Sequence, residues 1–314
     1  MSNPFSAHEG ETNRITLTAH EDTSNRTLST VLTWAIALLS LACCLAGLLT
    51  SGEGTVHMHQ AVTGEWVRLY GKGLYRNDSV SVAAQGLASD LATLLVGIPL
   101  LVASWWGANR GSIRARLLHA GIVAYFLYTY MSYSFLWMYN PLFLAYVALM
   151  SLSFFALVLV FQSIRPEPVK QCFRKNTPVR LYAGVQFAIA FLVAMLWFGK
   201  IFPTLDGKTV PAGLEHYTTL VIQAMDLGFV VPVAILSGWL LWRRRPMGYV
   251  LTSVILCKGA MMLTAISAMI VRQVQAGVAP VMAELIVFPG MTVLLAIALI
   301  GWLRGMRSES RSEG

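Results

Sequence analysis

VLTWAIALLSLACCLAGLLT, residues 31–50, is a run of twenty residues without a single charge. A bilayer core about 30 Å thick is crossed by roughly 20 helical residues at 1.5 Å each, so this stretch has the length and composition of a transmembrane helix. Seven more apolar runs of that length follow, five of them with a single charged residue each. The expected spans are Val31–Thr50, Ala88–Trp106, Leu117–Met138, Leu142–Ile164, Leu181–Phe202, Thr218–Trp242, Tyr249–Val271 and Val281–Leu303. Tyr139-Asn140-Pro141 leaves room only for a tight helical hairpin between the third and fourth.

Across all 314 residues, 56% are hydrophobic and 12% charged, with mean hydropathy +0.62. Soluble domains carry about a quarter charged residues, so a water-soluble globule is excluded. The expected fold class is an all-α integral membrane protein with eight transmembrane helices.

Lys and Arg orient the spans, because short loops rich in them stay cytoplasmic. With the N-terminus inside, sixteen of the 23 basic residues fall on inner segments, six on outer ones when Lys200 at the outer rim of its span is included, and one, Lys258, deep inside a span. Both termini are then cytoplasmic, in a bacterial-type inner (plasma) membrane. The net charge of +8 is a topology signal and implies no nucleic-acid partner. The expected organisation is a polar, disordered cytoplasmic tail over 1–30, the membrane domain over 31–303, and a short cytoplasmic tail over 304–314. The acidic start does not resemble a cleaved signal. Ser40 ahead of Cys43 disfavours a lipoprotein box.

Two outer loops carry texture. In 51–87, Glu65–Tyr70 alternates, Gly71-Lys72-Gly73 is read as a turn, and Leu74-Tyr75-Arg76 is read as the returning strand. The second loop, 203–217, is punctuated by Gly and Pro, and the two together would roof the bundle. No glycine-rich phosphate loop appears, which removes primary active transport by this chain alone.

The sequence also admits two parallel four-helix repeats. Trp34–Leu38 resembles Phe187–Phe191, and Ala88-Ser89-Asp90-Leu91 with Pro99 resembles Ala224-Met225-Asp226-Leu227 with Pro232. Spans three and seven show little likeness.

Charge within a bilayer costs on the order of 2.5–3.5 kcal/mol, so each intramembrane ionisable group needs a partner, water or a purpose. Counted along straight helices, Asp90 and Asp226 both lie about 24 Å above the inner boundary, beside Tyr130, Tyr133 and Gln223. Lys258 lies about 13 Å above Tyr249, about 10 Å from the level of Asp226, so the spacing argues against a direct ion pair. The candidate substrate- or ion-binding residues are therefore Asp90, Asp226, Tyr130, Tyr133, Gln223 and Lys258. Each has a bland alternative: capping, interhelical hydrogen bonding, or snorkelling for the lysine. Span three also carries Tyr125 and Tyr128, hydroxyls that belong inside a bundle. A retinal aldimine on Lys258 lacks a counter-ion at its level.

His57, His59 and His216 are weak metal candidates, because two imidazoles on one strand do not complete a site. The four cysteines show no Cys-x-x-Cys pair. No cofactor is expected. The leading reading is a secondary carrier or channel-like protein for a small solute or ion, in which catalysis is not expected. The rival is a sensory or accessory protein binding a ligand or partner through its outer loops, and a third is a membrane-embedded enzyme on a lipid-borne substrate. Expected partners are the lipid bilayer and the solute, with a second copy or another membrane protein admitted.

Overall fold

The computed structural model describes residues 5–50, 52, 54–279 and 282–307; of 5–24 and 282–283 only the backbone is described. The expected N-terminal tail falls largely on residues without described side chains. The C-terminal tail past Arg307 lies outside the description.

The chain is an all-helical bundle with one small hairpin. In order come α1 (Phe5–Leu49), β1 (His57–Gln60), β2 (Trp66–Leu69), α2 (Val80–Ala92), α3 (Ile98–Asn109), α4 (Ile113–Phe135) and α5 (Phe143–Ser163). A short α6 (Pro166–Cys172) leads to α7 (Val179–Ile201), α8 (Val221–Met225), α9 (Val231–Trp242), α10 (Pro246–Gln275) and α11 (Met282–Arg304). Among the described residues, seven helical stretches are long and apolar enough to cross a membrane. They correspond to every expected span except the third, which falls on α4. That helix has 23 residues but begins with Arg114, Arg116 and His119 and carries four tyrosines. Its polar side chains point into the bundle, where α3, α5 and α10 pack around it.

Large apolar side chains cover the outside. Phe154 and Phe155 on α5, Phe191 and Leu192 on α7, and Ile286 and Leu294 on α11 are all exposed. Water would make such a belt an aggregation surface, whereas hydrocarbon is its natural solvent. The chain is thus a multi-pass membrane protein.

Two helices are interrupted in the same way. A π-helical turn, Thr93–Gly97, joins α2 to α3, and another, Asp226–Val230, joins α8 to α9. Each is followed by a proline one residue into the next helix, Pro99 and Pro232. A proline ring collides with the carbonyl four residues back, and the wider turn makes room for it. Beyond these turns the two stretches stay in step at one constant spacing. Ile98 and Val231 open the 12-residue helices; Arg110 and Arg243 cap them with guanidinium groups over Trp106 and Trp239. Gly111 and Arg244 follow at positive φ, then Ile113 and Pro246 begin the next helix. Even the tie between neighbouring helices recurs: Ser104 Oγ meets His119 Nδ1 at 3.1 Å, and Ser237 Oγ meets Thr252 Oγ1 at 3.0 Å. In this register the partner of Asp226 is Thr93, and that of Asp90 is Gln223, three residues from the match that sequence likeness suggests.

The expected hairpin needs correction. β2 pairs with β1, not with 74–76, in the antiparallel register His57↔Leu69 to Gln60↔Trp66. The turn is made by residues 61–65, with Gly64 at φ 87°. Gly71 and Gly73 are needed for close approach. A Cβ on either would stand 2.1 Å from the Thr55 carbonyl or 1.8 Å from the Thr50 carbonyl, over the end of α1.

The loops at this hairpin end form a roof centred on Asp78. Its Oδ1 accepts from the Met138 amide at 2.9 Å and from the Tyr217 hydroxyl at 3.0 Å, while Tyr217 accepts from the Ser79 amide at 3.3 Å. Three loops, at 70–79, 136–142 and 205–220, are tied at one buried carboxyl. At the opposite, arginine-rich end, Arg114 donates to the carbonyls of Met306 and Arg307, and Phe173 bridges to Met306. Trp302, fully buried there, stacks among Phe173, Tyr182 and Tyr249.

Candidate functional site

The candidate residues separate into two sets of different character. The first surrounds Asp90, which is 4% exposed near the end of α2. Tyr75 donates to its Oδ2 at 2.6 Å and Tyr133 to its Oδ1 at 2.9 Å. Gly47 of α1 lies so close that a Cβ would sit 2.0 Å from Oδ2. Around them Tyr133 stacks on Trp137 with ring centres 4.4 Å apart, and Tyr130 stacks on Tyr146 at 6.2 Å. Tyr75, Tyr130, Tyr133 and Tyr146 are all buried. This carboxyl is walled in by aromatic rings, its oxygens both occupied.

The second set surrounds Asp226, the first residue of the second π turn. Tyr128 of α4 donates to Oδ1 at 2.7 Å, and the Trp197 indole of α7 donates to Oδ2 at 2.8 Å. Lys258 of α10 places its Nζ 3.8 Å from the centre of the Tyr128 ring, a close cation–π contact. The tyrosine therefore stands between the two charges, hydroxyl toward the acid and ring face toward the ammonium. All four side chains are only half-buried, in contrast to the sealed set at Asp90. Gly228, within the π turn, faces open space: a Cβ there would meet nothing within 4 Å.

Of the six residues expected from sequence, Asp90, Tyr130 and Tyr133 are thus brought together in the sealed cluster, and Asp226 and Lys258 share the open one. Gln223 is buried on α8, one turn before Asp226. The members the sequence reading left out are Tyr75, Trp197 and Tyr128. Tyr128 had a signal, as a hydroxyl in mid-span. Trp197 and Tyr75 had none, since an indole near a helix end or a tyrosine in a loop is ordinary at a membrane interface.

The histidines gather only in part. His59 and His216 approach edge to face at 6.0 Å, and His216 Nε2 lies 3.0 Å from the Asn77 carbonyl. His57 instead turns to the Thr55 carbonyl at 3.1 Å. Among the described residues no group of three or more His, Cys, Asp or Glu is placed to hold a metal. The four cysteines are free.

Comparison with protein-family models, with curated proteins and with solved structures finds no match to this chain.

Proposed function

We propose that this chain is a secondary carrier for a small solute or ion, with Asp226, Tyr128 and Lys258 as its binding site. The observation that carries the reading is the half-open pair of opposite charges held either side of one tyrosine ring, within helices long enough to span a membrane. Charges in such a place are expensive, and a ligand or a proton gives them a use. The site adjoins a π turn and a proline, the kind of broken helix that frees backbone groups for cargo. Asp90 is reassigned to the scaffold, since aromatic rings close it off.

The same proposal takes α4 as the eighth span, with the arginine-rich end and both termini cytoplasmic and the roof outside. It takes the constant spacing from Thr93–Ile113 to Asp226–Pro246 as the trace of two parallel four-helix halves, α1–α5 and α7–α11. Residue likeness between α4 and α10 is faint because each half has specialised.

Protein reconstituted in liposomes with an internal pH dye and challenged with pools of small solutes is expected to show proton-linked flux, reduced at least tenfold by Asp226→Asn. Flux that is real but identical in Asp226→Asn removes this site. Absence of flux for every pool removes the carrier reading.

A further inference from the structure

At the same register where the second half sets Asp226 near Lys258, the first sets Thr93 near Tyr125, whose hydroxyls meet at 2.8 Å, both buried. The fold thus satisfies this position with two neutral hydroxyls and has no structural need of charge there. The charges in the second half call for another explanation.

Their valences show which is unmet. Asp226 accepts a hydrogen bond on each oxygen from inside the protein. The Lys258 ammonium has three N–H donors. Among the described residues its contact is the π face of Tyr128, and no hydrogen-bond acceptor reaches it. Its Nζ also stays outside the group of side-chain nitrogens and oxygens that packing seals off without a partner. The site lacks an acceptor for the cation; it does not lack a donor for the acid.

We infer that the cargo is a monovalent organic anion, a small carboxylate whose oxygens take the N–H groups of Lys258, and that it travels with one proton carried on Asp226. This rests on the carrier reading and names its substrate class. The charge count leads to the proton. Lysine and aspartate together are neutral; an added carboxylate leaves the site one charge negative inside hydrocarbon, a costly state. A proton taken from the medium onto an Asp226 oxygen restores neutrality, and the Tyr128 hydroxyl, able to donate or accept, turns to accept from it. The titratable or charged groups set about Asp226 are Tyr128 from α4 and Lys258 from α10; α7 contributes the non-titrating Trp197. A dianion such as phosphate brings more charge than one ammonium and one proton balance, so it is the disfavoured ligand.

Trp197 supplies a reporter, since its indole touches Asp226. Purified full-length protein in detergent is titrated with lactate, benzoate and inorganic phosphate, following tryptophan fluorescence and, in weak buffer, proton uptake. Saturable binding of a carboxylate is expected, stronger than that of phosphate, with about one proton taken up per ligand. Lys258→Gln is expected to weaken it at least tenfold and Lys258→Arg to retain it. Asp226→Asn should bind with no proton uptake. Saturation by none of the three probes, tighter binding of phosphate, or wild-type affinity in Lys258→Gln overturns the inference. Should Lys258→Gln fail to fold, undiminished proton uptake in Asp226→Asn overturns it equally. Binding as expected without flux in liposomes would instead sink the carrier reading and leave the anion site standing.

Discussion

Asp78 shows how one side chain carries a pH dependence. Burial pushes its carboxyl up to about 7, against the lowering effect of the Met138 amide and the Tyr217 hydroxyl. Between about pH 4 and 7 the folded roof therefore holds a proton that the unfolded chain releases, so stability is greatest on the acid side and falls as pH rises through 7. Thermal midpoints of the wild type should drop between pH 5 and 8 by more than those of Asp78→Asn, whose amide carbonyl keeps both donors. Equal drops would place the dependence elsewhere. Glu215 beside it is also raised by burial and adds to the slope in both proteins. At Asp90, Tyr75→Phe removes one of two donors to a walled-in carboxyl and is expected to cost about 1–3 kcal/mol of stability in a denaturant titration. Ligand binding at Asp226 should be unaffected by that change. The sequence announced Asp90 and Asp226 as unusual but not their roles, because depth counted along straight helices put the two on equal footing; it gave no sign of Asp78. Their difference lies in the rings that wall one of them in. Lys258 was placed too far from Asp226 for contact; a tyrosine on a third helix spans the gap, and no spacing rule on the two helices alone contains it.

Elements were legible where a single physical rule governs them. Twenty uncharged residues make a membrane helix. The hairpin was misread because Gly71 and Gly73 look like turn formers, while the true turn at 61–65 holds only one glycine. The crossing of α4 and α10 depends on another glycine. A Cβ on Gly121 would lie 2.4 Å from Cys257 Cβ, so Gly121→Ala must push the helices apart and is expected to cost about 1–3 kcal/mol. Gly184→Ala on α7, where a Cβ meets nothing within 4 Å, should lose nothing and gain up to about 1 kcal/mol from the higher helix propensity of alanine. A loss in Gly184→Ala as large as that in Gly121→Ala would show that the contact at Cys257 does not set the effect.

For the whole molecule, the arrangement of basic residues predicts its sidedness. In a variant with Cys43, Cys44, Cys172 and Cys257 replaced, a membrane-impermeant maleimide should label Arg68→Cys on intact cells and label Lys175→Cys only after permeabilisation. Both positions are exposed in the structure, so the contrast reports the membrane and not burial. The reverse pattern would invert the topology. The correspondence between α2–α4 and α8–α10 was half-legible, since chance likeness between apolar helices placed it three residues out of step. Prolines, π turns and positive-φ positions set the register that hydropathy blurs.

The grip of Arg114 on the carbonyls of Met306 and Arg307 also orders events during synthesis. Those acceptors lie 192 and 193 residues further along, so α4 is made long before Arg114 has these carbonyls to hold. Until α11 has been made, the guanidinium lacks these two acceptors. The arginine-rich end of the early helices is therefore latched last, and a nascent chain stalled ahead of α11 would carry its earlier helices but not the clasp that closes them.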